Sequence, residues 1–352
     1  MSGPKRPSIY DVAREAGVSV FTVSAVINRT KRVSTMLARR VEAAIRNLNY
    51  RPNLLARSLA KQQTDTLGMV VTDIANPFFP DMVRGAEDAA QKAGYGLLLC
   101  NSDDKQEKES VYLDLLISKR VDGIVLNKTP GVLTVTQRRM LAEAEVPIVL
   151  LMRTCPGLKA DVVQTDDKLG AMNAIAHLAC IGHKKIAFVG GPVNVSNARA
   201  RRQGYRAALE DWGLEYVPEL TVEGDYRIES GHRAGYALLP RRPDAVLVTN
   251  YLMAIGFMTV ADEMGLHCPE DFALVSFDDY PWLGCFRPRL TTIELPKYEL
   301  GDTAVRLVLE RIQDKRAQPV TVNLLPQLRV RESCGFMLQH QKEGASTRCK
   351  LG

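Results

Sequence analysis

From Thr66 onward the chain alternates short apolar runs with amphipathic segments. The runs "LGMVVT" (67–72), "YGLLLC" (95–100), "VDGIVL" (121–126) and "VPIVLL" (146–151) predict one set of strands, and "KIAFVG" (185–190), "DAVLVT" (244–249) and "FALVSF" (272–277) a second. Between them, segments such as Asp81–Ala93, Ala200–Trp212 and Ala254–Met264 carry apolar residues at helical spacing. Apolar strands alternating with helices mean parallel sheets covered on both faces. About 270 residues of this pattern suit two lobes better than one core. In such folds ligands bind at the carboxyl ends of the strands. Polar side chains fall there: Asp73, Asn101 and Asp103 in the first set, Asn250 and Asp278 in the second.

The first 63 residues follow another pattern. Ser8 and Asp11 have capping-box spacing, which predicts a helix through Val12, Ala13 and Ala16, stopped by Gly17. Ser19 caps a second helix, Val20 to about Asn28, and Ser34 a third, with Leu37, Val41, Ile45 and Leu48 on one face. Two helices joined by a tight glycine-containing turn, plus a packing helix, read as helix-turn-helix, with a generic three-helix bundle as the alternative. Charge separates the two. Residues 1–63 hold twelve Lys/Arg against three Asp/Glu, while the remainder holds 34 against 37. A basic head on a near-neutral body implies a polyanionic partner for the head alone.

Other chemistries find little support. Seven scattered cysteines without C-x-x-C spacing argue against a disulfide framework or zinc site and for a reducing compartment. No apolar run has membrane-spanning length, and "MSGPKRPSIYD" lacks a signal-peptide core, so a cytoplasmic protein without membrane contact is expected. There is no Walker loop, G-x-S-x-G or metal-spaced histidine cluster, and "VGGP" (189–192) is not a dinucleotide fingerprint. An enzyme would have to use Asp73 and Asp278 as a carboxylate pair; no enzyme activity, metal or cofactor is expected.

The segments "IYDVAREAGVSVFTVSAVIN", "VS" at 33–34, "NYRPNLLARSLA", "LGMVV…NPFF", "VDGIVL", "RRQGYRAAL" and "VSFDDYP…PRLTTIELP", in this order, resemble the LacI/GalR family of bacterial transcription regulators across nearly the whole chain. The resemblance implies a helix-turn-helix domain at 1–52, a hinge helix at 53–63 and a two-lobed, periplasmic-binding-protein-like body at 64–340 for effector binding and dimerisation. A disordered tail at 341–352 completes the expected organisation. It places Val20, Phe21 and Ala25 at base edges in the major groove. None of the three forms a bidentate bond to a base, although Val20 and Phe21 suit a thymine methyl. The nearby Ser19, Thr22, Ser24 and Asn28 can hold phosphates, with partial burial in the head as the alternative for Thr22 and Ser24. In the hinge, Leu59 matches a leucine that wedges into the minor groove, beside Asn53, Ala56 and Arg57.

For the effector, the resemblance points to Asn76, Phe78, Arg201, Asn250 and Asp278, with Asp73 at the neighbouring strand end and Trp282 as a wall. Arg199 is assigned to loop support. Two positions depart from the sugar-binding pattern: Met152, followed by Arg153, stands where an Asp is usual, and Lys297 where an apolar residue is common. One acid lost and one cation gained favour a sugar acid or sugar phosphate. Against this, Lys297 could reach solvent and Arg153 pair with an acid such as Asp166. The function implied is a homodimeric repressor on near-palindromic double-stranded operator DNA, controlled by a small carbohydrate-type effector. The tail lacks coiled-coil heptads for a tetramer. The alternative is a sugar-binding or sugar-processing protein whose basic head is incidental.

Overall fold

The computed structural model describes residues 7–28, 32–50, 63–313 and 318–336. The chain divides into two compact units, Met1–Thr64 and Asp65–Gly352. The first contains α1 (Ile9–Ala16), α2 (Val20–Asn28) and α3 (Thr35–Asn47). Ser8 and Asp11 form a reciprocal capping box at the start of α1, and Gly17 ends it in the left-handed conformation at φ 60°. Ser19 Oγ accepts from Thr22 N at 3.1 Å, satisfying an orphan donor at the start of α2. Ser34 accepts from Leu37 N at 3.4 Å at the start of α3. Val12, Ala13, Ala16, Val23, Val41 and Ala44 form the small core that these caps orient.

The second unit holds two six-stranded sheets. The first comprises β1 (Thr66–Val71), β2 (Gly96–Asn101), β3 (Gly123–Leu126), β4 (Ile148–Leu151), β5 (Asp161–Thr165) and β11 (Thr321–Leu324), all parallel, in the order β11-β5-β4-β3-β1-β2. The second comprises β6 (Ile186–Gly190), β7 (Thr221–Glu223), β8 (Ala245–Val248), β9 (Ala273–Phe277), β10 (Thr291–Glu294) and β12 (Gln327–Arg329), in the order β12-β10-β9-β8-β6-β7. Only β12 runs antiparallel to its neighbour. The chain passes between sheets three times: after β5, after β10 and after β11.

Helices α4 (Phe78–Lys92), α5 (Gln106–Ser118), α6 (Val135–Ala144) and α11 (Lys297–Gln313) cover the first sheet; α7 (Asp167–Cys180), α8 (Ser196–Asp211), α9 (Ile228–Leu238) and α10 (Tyr251–Glu263) cover the second. Helices α4 and α11 cross at Gly85 and Gly301, where a Cβ would overlap the carbonyls of Tyr298 and Met82. Three helices begin earlier than the hydrophobic pattern predicts. In α4 the amide of Phe78 is bound by Asn76 Oδ1 at 3.0 Å, and Pro80 needs no donor in the first turn, so the helix starts at Phe78 rather than Asp81. Helices α8 and α10 likewise start at Ser196 and Tyr251. No helix among the described residues is long and apolar enough to cross a membrane.

Candidate ligand cleft and nucleic-acid interface

In the head, α2 turns different residues to different surroundings. Phe21 is 65% exposed, an unusual state for a phenylalanine, while Val20 packs partly against the head core. Ser19 is exposed and its hydroxyl lies 2.9 Å from that of Thr22; Thr22 and Ser24 are half-buried. Ala25 requires a correction. It is 4% exposed, so its methyl offers almost no surface for a base. The side chain of Asn28 and the segment carrying Asn53, Ala56, Arg57 and Leu59 lie outside the described residues.

In the body, the ends of the strands of both sheets meet at an open cleft, whose roughly 600 Å³ of empty space includes solvent at its mouth. Seven expected residues line it: Asp73, Asn76, Phe78, Arg153, Arg201, Asn250 and Asp278. Each is fixed by local structure. Asp73 Oδ1 accepts from Ala75 N at 3.0 Å, and the Asn76 bond to Phe78 N leaves its amide NH₂ available. Phe78 and Phe79 meet edge to face, with centroids 5.4 Å apart.

Arg201, on α8, is 4% exposed. Its Nε donates to Asp167 Oδ1 at 2.6 Å and its Nη1 to Thr249 O at 2.5 Å, with the guanidinium 4.1 Å above the Phe277 ring. Asn250 uses its Oδ1 to cap α10 at Leu252 N and donates Nδ2 to Asp278 Oδ2 at 3.1 Å. Asp278 Oδ1 carries no bond among the described residues and remains for a ligand. Burial pushes the Asp278 carboxyl above its usual range, with Arg201 and Lys297 pulling the other way.

Two expected residues stand elsewhere. Lys297 is 8% exposed and does not line the cleft. Its Nζ donates to Asp279 O at 2.7 Å, pairs with Asp81 at 3.7 Å and sits 3.9 Å over the Tyr280 ring. Trp282 is 44% exposed, stacks against Tyr280 with ring centroids 4.7 Å apart and donates Nε1 to the Tyr251 hydroxyl. Neither reaches a ligand in the cleft. Arg153 does line it, but its partner is Asp104, at 2.7 Å, rather than Asp166, which caps α7. Both cations that favoured an anionic ligand, Arg153 and Lys297, thus have acidic partners, while Arg227, which also lines the cleft, is exposed. Arg199 donates to Val193 O at 3.3 Å, as a loop support.

Sequence reasoning missed Asp104, Asn127, Asn197, Asp225, Tyr226 and Arg227 among the charged and polar lining residues. The first two follow β2 and β3, so the strand-end rule that selected Asp73 applied equally to them. Asp103, one residue earlier, pairs with Lys108 and does not line the cleft. Asn127 is 2% exposed, donates to Leu151 O at 3.0 Å and has an unpartnered Oδ1. Tyr226 also has a sealed, unpartnered hydroxyl, and burial pushes its phenol up to about 12. Gly191 makes room for it, because a Cβ there would overlap the Tyr226 ring. Among the described residues no group of three or more His, Cys, Asp or Glu is placed to hold a metal.

Residues 8–53 match the family of bacterial regulatory proteins, lacI family, and residues 175–334 match a periplasmic binding protein-like domain. The ribose operon repressor of Escherichia coli (strain K12) is 38% identical over 328 residues, spanning 93% of this chain and 99% of that protein. The chain belongs to the LacI family. A solved structure of the lac repressor dimer bound to operator and the anti-inducer ONPF superposes with a TM-score of 0.82 at 29% identity, covering 94% of this chain and 99% of that one. A LacI family transcriptional regulator from Enterococcus faecium, solved with bound ribose, gives a TM-score of 0.68 at 31% identity over 76% of this chain and 98% of its own. As a LacI-family member the chain is a DNA-binding transcriptional regulator with a helix-turn-helix head and a two-lobed body.

Proposed function

We propose that this LacI-family regulator is a homodimeric repressor whose operator affinity is set by a small neutral sugar, of pentose size, held between the lobes. The observation that carries the sugar class is the charge state of the cleft. Both buried arginines that line it, Arg153 and Arg201, are matched by a carboxylate at 2.7 Å or less. What remains for a ligand includes directional groups, Asp278 Oδ1, the Asn76 amide, the outer donors of the paired arginines and the exposed Arg227, beside the Phe78 and Phe79 rings. Acceptors for hydroxyls beside an apolar face fit a sugar ring. The similarity to the ribose operon repressor and to the ribose-bound regulator supports the pentose.

The head supplies the DNA contact through its basic excess and exposed Phe21. A second copy covers apolar surface on the first lobe, where Leu98, Leu99, Val111 and Leu115 are 41–63% exposed. A dimer places two heads on two half-sites, hence a near-palindromic operator. Sugar binding changes the relation of the lobes and so the presentation of the heads. No catalytic step is assigned to the cleft.

Calorimetric titration of the chain with D-ribose, D-ribose 5-phosphate and D-ribonate tests the ligand class. Tightest binding of the neutral sugar is expected; preference for either anion contradicts the reading.

A further inference from the structure

The pairing of Arg153 raises a question of selectivity. Arg153 is 7% exposed, and one nitrogen, Nη1, makes both of its bonds, to Asp104 Oδ1 at 2.7 Å and to Lys128 O at 3.0 Å. Its Nε and Nη2 make no hydrogen bond among the described residues, and the residue lines the cleft, which leaves these donors for a ligand. Asp104 comes from the turn after β2, at φ 54°, pinned by its amide to Thr72 O at 3.0 Å. Asp and Asn tolerate that backbone better than other residues with a side chain. Its Oδ2 is likewise unclaimed. Met152, next to Arg153 and lining the same wall, brings no charge.

We propose that Asp104 is the residue that makes this cleft select neutral over anionic ligands. The inference rests on the neutral-sugar reading above. A buried arginine such as Arg153 seeks an anion, whether from the protein or from a ligand. Asp104 fills that demand from within and also places a negative oxygen where a phosphate or carboxylate would have to lie. A hydroxyl accepts from Arg153 Nη2 and donates to Asp104 Oδ2 without conflict; an anion is repelled by the second group. Discrimination thus comes from a repulsive element as much as an attractive one. Lys128 and Glu109 hold the pair in place from behind: Lys128 presents the carbonyl that Arg153 binds, and its ammonium lies 2.7 Å from Glu109 Oε1.

The test compares the wild-type chain, Asp104→Asn, and the double variant Asp104→Asn/Met152→Asp, by calorimetric titration with D-ribose and D-ribose 5-phosphate. Met152 lies at φ 64°, which Asp accepts, so the double variant returns a carboxylate beside Arg153. In Asp104→Asn the ratio of neutral to anionic affinity is expected to fall by on the order of tenfold to a hundredfold, the effect of one charge-assisted contact exchanged for a repulsion. The double variant is expected to recover most of that ratio. Should Asp104 serve only to hold the turn, both affinities fall together and the ratio is unchanged; that result overturns the proposal while leaving the sugar reading intact. A wild-type chain that binds neither ligand, or prefers the phosphate, overturns the sugar reading itself and the role of Asp104 with it.

Discussion

Lys128 and Glu109 form an ion pair with side-chain exposures of 1% and 0%, at 2.7 Å and off the axis of a hydrogen bond. Lys128 Nζ donates to Thr129 O at 3.1 Å and Thr129 Oγ1 at 2.9 Å, and Thr129 N donates to Glu109 Oε2 at 2.6 Å. At an effective dielectric of about 20 the direct attraction over 2.7 Å is roughly 6 kcal/mol, most of it cancelled by the dehydration of both ions. Replacing one partner removes the attraction and leaves the dehydration. Lys128→Met is therefore expected to destabilise the body by about 3–5 kcal/mol. In Lys128→Met/Glu109→Gln the amide oxygen still accepts from Thr129 N, so the double variant should lose only about 1–2 kcal/mol. The coupling, at least about 2 kcal/mol, is read from urea unfolding at one fixed protein concentration, with unchanged slopes as the check that only stability has moved. Because the carbonyl of Lys128 survives, effector affinity should stay within about threefold. A loss below about 1 kcal/mol in the single variant, or two additive single-variant losses, would refute the argument that the pair is buried and interdependent.

Three further outcomes follow from other sites. His177 is 3% exposed with an unpartnered Nε2, and burial, aided by His183, lowers it from 6.5 to about 4. The unfolded chain then binds the extra proton between those values, so stability rises with pH across 4–6.5 and falls on acidification by up to about 3 kcal/mol; pH-dependent melting should lose this component in His177→Phe. Gly191→Ala drives a methyl into the Tyr226 ring and should weaken effector binding about tenfold with little change in operator affinity, as measured by calorimetry and anisotropy in parallel. Residues 64–352 alone should bind effector but no DNA, and the full dimer, with roughly 6–10 phosphate contacts, should lose about a thousandfold or more in DNA affinity between 50 and 200 mM salt.

The apolar strands were legible because both faces of a parallel sheet are covered, which gives runs such as Gly123–Leu126, buried at every position. Strands β5, β7, β10, β11 and β12 escaped notice for the complementary reason. They are short and carry Thr, Asn, Gln and Glu, and β7, β11 and β12 lie at sheet edges with partly exposed side chains. The caps at Ser8, Ser19 and Ser34 are local chemistry and could be read directly. Positions at strand ends pointed to Asp73, Asn250 and Asp278, but not to the choice between adjacent Asp103 and Asp104, which depends on how the turn after β2 directs each side chain. Lys297 shows the limit of reading charge without partners. The missing partners were the Asp279 carbonyl, Asp81 and the Tyr280 ring, all of them more than a dozen residues distant in sequence.

On the proposed function, a ligand in the cleft governs the head's hold on DNA. Fluorescence anisotropy with an operator selected from random DNA by this chain, titrated with and without saturating D-ribose, tests it in wild type and in Asp278→Asn. Wild type should bind the selected operator far more tightly than random DNA, and the sugar should change that affinity between about fivefold and a hundredfold. Asp278→Asn should keep the operator affinity and lose the response. Equal affinity for selected and random DNA, or an undiminished sugar response in Asp278→Asn, would contradict the account.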